Sequence, residues 1–438
     1  MPKSFNIYIP EFIKTYGFIA VLIFAGFYTA AQFIEPPPPS KLTLAVGAKG
    51  GAYYEFGLKY QEFLKQEHKL DVKLVETNGA LDNLALLNEG SVDAGFIQTG
   101  IRSAKNALNV EALGAIYYEP LWVFLKPDLT INDLGELKGL SISIGKPGGG
   151  TFVVSRRVLE ANNVTRDNTN FMRYETTDDL FNSLKAGQID AAFMAGGYTS
   201  PKVQRFLSEK SFTLMHFKRA EAYAKNYPYL AHVVLPEGLV DLQHNIPGFD
   251  THLISPSAVL AVNKDFHGAL TSLLVQTSHD IHNVSGPFND LHEFPNMTHV
   301  DFTFAEQATR YFEHGPSFLQ RYVPFWVADM MDRLKVMLIP LLGLLFPLMK
   351  IAPPTYRWRI RSKIYKWYKD LKRIETLGIE GIDKKTANEL IGELERIDSE
   401  SKQTSVPLSY ADALYDLRLH IKLVRSHIEE LAQKKGSK

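Results

Sequence analysis

At 438 residues, 45% apolar and 22% charged, the chain has ordinary globular composition and enough length for two or more packed units. Its 48 basic and 48 acidic residues cancel, so no global charge argues for nucleic acid as a partner. There is no cysteine, which excludes disulfides, thiolate metal sites and a cysteine nucleophile.

Residues 1–14 read as a short cytoplasmic N-terminus. From Thr15 to Ile34 the chain runs 20 residues without a charge, about the length of a transmembrane helix. The competing reading is a cleaved signal peptide, because Lys3 and Lys14 precede the run and small residues surround Ala30 and Ala31. Glu35 and the four prolines at 36–39 make a stiff spacer over residues 35–40.

A short apolar strand from Leu42 then enters a turn with glycines at 47, 50 and 51, followed by an amphipathic helix. That order lets the backbone approach a ligand and offers free N–H groups at a positive helix end, which suits an anionic small molecule. An ordinary strand-to-helix turn without a ligand has the same pattern. A helix over Leu58–Gln66, a strand over Leu70–Glu76, a turn at 77–80, a helix over Leu81–Glu89 and a strand over Val92–Ile97 follow. Ala115–Phe124 and Val259–Val262 read as further strands of the same lobe.

The theme repeats between them. Strand Leu140–Ile144 leads to a glycine turn at 145–150, helix Thr151–Ala161, strand Phe171–Tyr174, helix Asp178–Ala186 and strand Ala191–Met194. Glu89-Gly90 and Val92-Asp93-Ala94-Gly95-Phe96 in the first half match Ala186-Gly187 and Ile189-Asp190-Ala191-Ala192-Phe193 in the second. Two facing α/β lobes with glycine loops at strand carboxyl ends make a clamshell that holds a ligand between them. Lobe 1 covers 41–126 and returns over 251–320, and lobe 2 covers 127–250.

The runs VGAKGGAYYEFG, NGALDNLALLNEGSVDAGFIQ, SIGKPGGGTFVVSRRVLEANNV and LKAGQIDAAFMAGGYTSP together resemble the TAXI-type solute receptors of tripartite ATP-independent periplasmic (TRAP) transporters. The resemblance implies a type II periplasmic-binding-protein fold and a small organic anion, glutamate-like or a dicarboxylate, as ligand, with a TRAP-type permease as partner. By the same resemblance the ligand loops fall on Gly50, Gly51, Tyr53, Asn78, Gly79, Gln98, Gly149, Gly150, Thr151, Gly196 and Gly197. Tyr53 would give a ring wall and a hydroxyl, or serve as a core aromatic. Thr151 would give a hydroxyl beside free N–H groups, or cap its helix. Asn78 and Gln98 would orient the ligand through their amides. The second-lobe turn departs from the family's more frequent Gly-Ser-Gly-Thr by reading Pro-Gly-Gly-Gly-Thr, which removes one hydroxyl.

Enzymatic motifs are missing: no Ser/His/Asp arrangement, no HExxH, and a GKPGGGT stretch without the GK[ST] ending of a P-loop. An enzyme is not expected, nor a cofactor or metal. His279, His282, His292, His299 and His314 read as surface or structural histidines. Arg102 either pairs a ligand carboxylate or sits on a solvated position, and Arg156 and Arg157 read as helix surface or interlobe contacts.

A second apolar run, Val336–Met349, lies between Lys335 and Lys350. With snorkelling lysines it extends to a kinked span over 335–354, the alternative being a re-entrant or interfacial helix. The following RWRIRSKIYKWYKDLKR (357–373) holds eight Lys/Arg against one Asp, the signature of a cytoplasmic flank. The expected location is therefore the bacterial inner membrane, with both termini cytoplasmic and the binding unit periplasmic. In the tail, residues 355–438, the stripe Ile360, Ile364, Trp367, Leu371 and Ile374 is expected to lie on the inner leaflet. Ala387, Leu390, Leu394 and Ile397, with Leu414, Leu417, Ile421, Val424, Ile428 and Leu431, predict a helical hairpin or coiled coil. That hairpin either packs on itself or uses residues 384–433 for self-association or a cytoplasmic partner. The second function these features suit is a ligand sensor or scaffold that passes clamshell closure to the tail.

Overall fold

A computed structural model describes residues 10–32, 36–103, 107–316, 323, 325–379, 384–404, 406 and 408–436. The chain divides into two units, Pro36–Met330 and a second formed by Met1–Glu35 with Met331–Lys438.

The second unit opens with α1 (Pro10–Ala31). In the first unit β1 (Lys41–Ala45), α2 (Ala52–His68), β2 (Asp71–Val75), α3 (Ala80–Glu89), β3 (Ala94–Gln98) and β4 (Val110–Tyr118) build lobe 1. Lobe 2 comprises β5 (Leu121–Leu125), β6 (Ser141–Ser143), α4 (Gly150–Glu160), β7 (Asn170–Met172), α5 (Thr177–Lys185), β8 (Ala191–Ala195), α6 (Pro201–Leu207), β9 (Thr213–Leu214) and α7 (Ala220–Asn226). The ribbon of β10 (Ala231–Leu235) and β11 (Thr251–Ser255) packs into the lobe 2 core, and β12 (Ser257–Asn263), α8 (Gly268–His282) and α9 (Glu306–His314) return to lobe 1.

The two main sheets have orders β2-β1-β3-β12-β4 and β7-β6-β8-β5-β9. In each, the first three strands are parallel and the strand that directly follows a crossing into the lobe is antiparallel, so the repeat expected from the sequence is a repeat of topology. The matched aspartates have matched work. Asp93 Oδ2 accepts from the Thr43 N–H at 2.7 Å, and Asp190 Oδ2 accepts from the Ser141 N–H at 2.7 Å. Each carboxylate ties the start of its parallel strand to the neighbouring strand, a charge-assisted bond that is stronger than a neutral one.

One expected strand is two. Residues Ala115–Phe124 split at Glu119-Pro120 into the end of β4 in lobe 1 and β5 in lobe 2, because proline has no N–H for the ladder. The chain crosses between lobes there and again at Pro256, and the Glu119 N–H donates to the Pro256 carbonyl at 2.9 Å, which joins the two crossings into a hinge.

The second unit continues with α10 (Phe325–Ile379) from Met331 onward, α11 (Lys384–Gln403) and α12 (Ala411–Gly436). Among the described residues no helix is long and apolar enough to cross a membrane. The expected spans at 15–34 and 335–354 are corrected accordingly. Helix α1 stops at Ala31, which leaves about 25 Å of uncharged helix from Thr15 against a hydrocarbon core of about 30 Å. The apolar run 336–349 makes about 21 Å of helix. It lies inside α10, which runs unbroken through Pro340 and Pro347 instead of forming a separate kinked span. Residues 1–9, 33–35 and 317–320 of the expected segments, and Pro407, lie outside the described residues.

The basic helix is also corrected. Ile360, Ile364, Trp367, Leu371 and Ile374 are buried in protein, not laid on a lipid leaflet. All but Ile360 share one apolar core with Ala387, Leu390, Leu394 and Ile397 of α11 and Leu417, Ile421, Val424 and Ile428 of α12. The tail is thus a three-helix arrangement closed within the chain, and its hairpin takes the self-packing alternative. Leu394 is fully buried in that core. Leu394→Ala is expected to cost about 2–5 kcal/mol, read as a lower melting midpoint of this unit in the full chain.

Candidate functional site

Three helices begin where parallel strands end, and their first turns face one another. Helix α2 starts after Gly51, α3 after Gly79 and α4 after Gly149; none of the three has a side-chain cap. By contrast Thr176 caps α5 and His267 caps α8 through their side chains. The uncapped N–H groups of the first turn keep their hydrogen-bonding capacity, and the helix dipoles add partial positive charge at the same place. Gly79 has φ of +133°, a conformation that only glycine adopts without strain, and so sets the entry angle of α3.

Between these ends lies a cavity of about 200 Å³ shared by the lobes. Of the residues expected at the ligand, Gly51, Tyr53, Asn78, Gly79, Gln98, Gly149, Gly150, Thr151 and Gly196 line it. Gly50 and Gly197 do not: Gly50 holds the turn at φ +74°, and Gly197 packs behind the wall against Tyr117. Asn78 donates its amide to Asp82 at 2.7 Å, which fixes its orientation at the mouth of α3. Thr151 is not a cap. Its hydroxyl oxygen accepts from the Ala195 N–H at 3.0 Å and so braces the start of α4 against the end of β8.

Two charged residues in the wall were not anticipated. Glu119, at the hinge, is 5% exposed. Its Oε2 accepts from the Gln98 amide at 2.7 Å and from the Tyr53 hydroxyl at 3.1 Å, while Oε1 accepts from Tyr117 at 3.4 Å. Burial pushes its carboxyl up from the usual carboxylate range, against the opposing pull of Gln98, Tyr53, Lys202 and Tyr117. The same burial, with the adjacent carboxylate, holds the Tyr53 and Tyr117 hydroxyls well above the ordinary tyrosine value. Lys202, at the start of α6, is an exposed side chain on the cavity wall. Among the described residues it makes no ion pair. A signal for each was present in the sequence: a Glu-Pro inside an apolar run, and Ser200-Pro201-Lys202, a helix start directly after the second-lobe glycine pair.

The lobes touch across the cavity. A Cβ added to Gly150 would lie 2.1 Å from Gln98 Oε1, an atom that is buried and has no hydrogen-bond partner. Arg157, at the other end of α4, donates to the Arg102 carbonyl at 3.2 Å with its guanidinium over the Tyr229 ring, which makes it the interlobe contact that was one of its two expected roles. Arg102 itself donates to the Asp301 carbonyl and does not line the cavity.

The pattern of the NMT1-like family matches residues 44–292, more than half of the chain and nearly all of both lobes. The chain belongs to the NMT1-like family. Solved structures to which this NMT1-like chain is similar include three bacterial binding proteins. An alkanesulfonate-binding protein of Xanthomonas axonopodis pv. citri is 15% identical over 57% of this chain and 74% of its own, with a TM-score of 0.37. The periplasmic aliphatic sulphonate binding protein of Escherichia coli is 14% identical over 71% and 83%, at 0.37. A periplasmic binding protein with high arginine specificity from Salmonella typhimurium is 13% identical over 55% and 92%, at 0.35. The two-sheet α/β body of this NMT1-like chain holds its cavity where parallel strands end and helices begin.

Proposed function

We propose that the protein is a solute receptor that captures a small organic anion by lobe closure and passes it to a TRAP-type permease. The observation that carries this reading is the convergence of three uncapped helix N-termini and the unpaired Lys202 on one cavity of about 200 Å³. Fixed N–H groups and an ammonium on the cavity wall favour an anion, and a ligand that touches both lobes drives closure by contacts made only in the closed state. Glu119 and Gln98 Oε1 add two acceptors to the wall. They favour a glutamate-like amino acid, whose ammonium donates, over a bare dicarboxylate.

The test is thermal unfolding of the full chain against L-glutamate, L-aspartate, succinate, 2-oxoglutarate and neutral amino acids. A binding anion should stabilise by about 2.7 kcal/mol at 100 times its dissociation constant. Lys202→Ala should remove most of the response, and Glu119→Gln should erode the preference for amino acid over dicarboxylate. No response to any acid from a folded chain overturns the reading.

The proposed location is the periplasmic face of the bacterial inner membrane. Support comes from the apolar side chains that α1 and α10 leave exposed, among them Phe24 and Tyr28, and Leu342, Phe346 and Met349, which a bilayer would cover. Recovery of the chain in the soluble fraction after lysis would count against it.

A further inference from the structure

We propose that lobe 2 carries a second small-molecule site, an apolar pocket that takes an aromatic carboxylate. It is a cavity of about 250 Å³ that shares no residue with the cleft. Phe124 of β5 and Phe206 of α6, both core residues, form its floor, and Leu214 and Leu235 stand on the walls. The segment 236–250 covers it through Val240 and Phe249.

That cover is held by its own backbone hydrogen bonds. The Gly238 N–H donates to the Pro247 carbonyl at 2.9 Å, and Asp241 and Ile246 exchange backbone bonds at 3.1 and 2.9 Å. The pocket is therefore preformed, which lowers the ordering cost of binding. An apolar cavity of about 150 Å³ is known to hold benzene, so this one has room for a phenyl ring and a short chain. Its floor favours a ring: Phe206 lies 5.2 Å from Phe124, a spacing that a third aromatic group can join edge-on or offset.

The mouth supplies the charge preference. Glu209 is already engaged by the Lys185 ammonium and the Ser211 hydroxyl, whereas the neighbouring Lys210 is exposed and makes no ion pair among the described residues. One unpaired cation at the rim of an apolar pocket selects a carboxylate at the end of an apolar body.

The probe is 3-phenylpropanoate, compared with its neutral counterpart 3-phenylpropan-1-ol, by thermal unfolding and titration calorimetry on the full chain. The acid should give a saturable stabilisation and bind about tenfold more tightly than the alcohol, the size of one charge-assisted contact. Lys210→Gln should bring the acid down to the alcohol, and Val240→Trp, which fills the pocket from its half-buried cover, should abolish both responses. Lys202→Ala, in the cleft, should leave both unchanged. The proposal is overturned if the acid gives no saturable response, if Val240→Trp leaves the response intact, or if Lys202→Ala removes it, since the acid would then be bound in the cleft.

Discussion

Gly150→Ala is expected to weaken solute binding roughly 10- to 100-fold while leaving the unliganded fold at least as stable as before. The added methyl would sit 2.1 Å from Gln98 Oε1 and 2.8 Å from its Cδ. Gln98 cannot swing away cheaply, because it is 3% exposed and its amide is tied to Glu119 at 2.7 Å. Overpacking of this kind costs about 1–3 kcal/mol, and the cost falls on the arrangement in which Gly150 of lobe 2 meets Gln98 of lobe 1, a contact that separation of the lobes would break. A closed state made rarer by that amount lowers apparent affinity by the same factor. Within lobe 2 the change is benign. Gly150 is the first residue of α4 and has no positive φ, so alanine fits the backbone and favours the helix. Calorimetry with the ligand found in the panel measures the loss, and small-angle scattering with saturating ligand should show a larger radius of gyration. Adding Gln98→Ala should restore part of the affinity by making room. Wild-type affinity in Gly150→Ala would remove the interlobe contact from any account of closure.

Much of this site is legible because its parts obey local rules. The glycine turns and the helix starts after them are each set by a few adjacent residues, so strand-turn-helix order places them at strand ends before any tertiary contact is known. Glu119 belongs to a different kind of problem. The run from Ala115 to Phe124 is apolar enough to read as one strand, and only the partner strands reveal that Tyr118 pairs with β12 in one lobe and Leu121 with β8 in the other. A hinge is a fact about pairing, which period-two patterning does not encode.

The tail illustrates the same boundary. The 4-3-4-3 stripe from Ile360 to Ile374 states that one face of a helix is covered, but the periodicity is identical whether lipid or protein covers it. Here α11 and α12 supply the cover. The N-terminal run carries a length signal and no information about where its helix stops, and the end at Ala31 shortens it below a full span. Thr151 shows the same limit: of its two expected roles the cap is not made, and its hydroxyl oxygen accepts from Ala195 at the end of the central strand β8, a contact invisible along the chain.

Replacing His282 with phenylalanine should make the binding unit resistant to mild acid. The ring ends α8 among Phe56 at 4.5 Å, Tyr60 at 5.8 Å and Tyr117 at 6.1 Å between centroids. Its Nε2 is buried without a partner. Burial, with a smaller push from the Lys59 charge, lowers its pKa from 6.5 to about 3. The native ring is therefore neutral through mild acid, while the unfolded chain takes up a proton below about pH 6.5. Stability from this group is complete above that pH and is lost as pH falls toward 3, at about 1.4 kcal/mol per pH unit, or about 2.7 kcal/mol by pH 4.5. Phenylalanine keeps an aromatic ring in an aromatic cage, has no proton to bind and removes the unpaired nitrogen, whose burial costs about 1–3 kcal/mol. The variant should thus match or exceed the wild type at pH 7.5, and its advantage should widen by roughly 2–3 kcal/mol at pH 4.5, with carboxylate titration common to both chains. Denaturant unfolding of the two full chains at both pH values measures that widening. Parallel stability curves would mean that His282 is protonated in the native state and that its cage admits water.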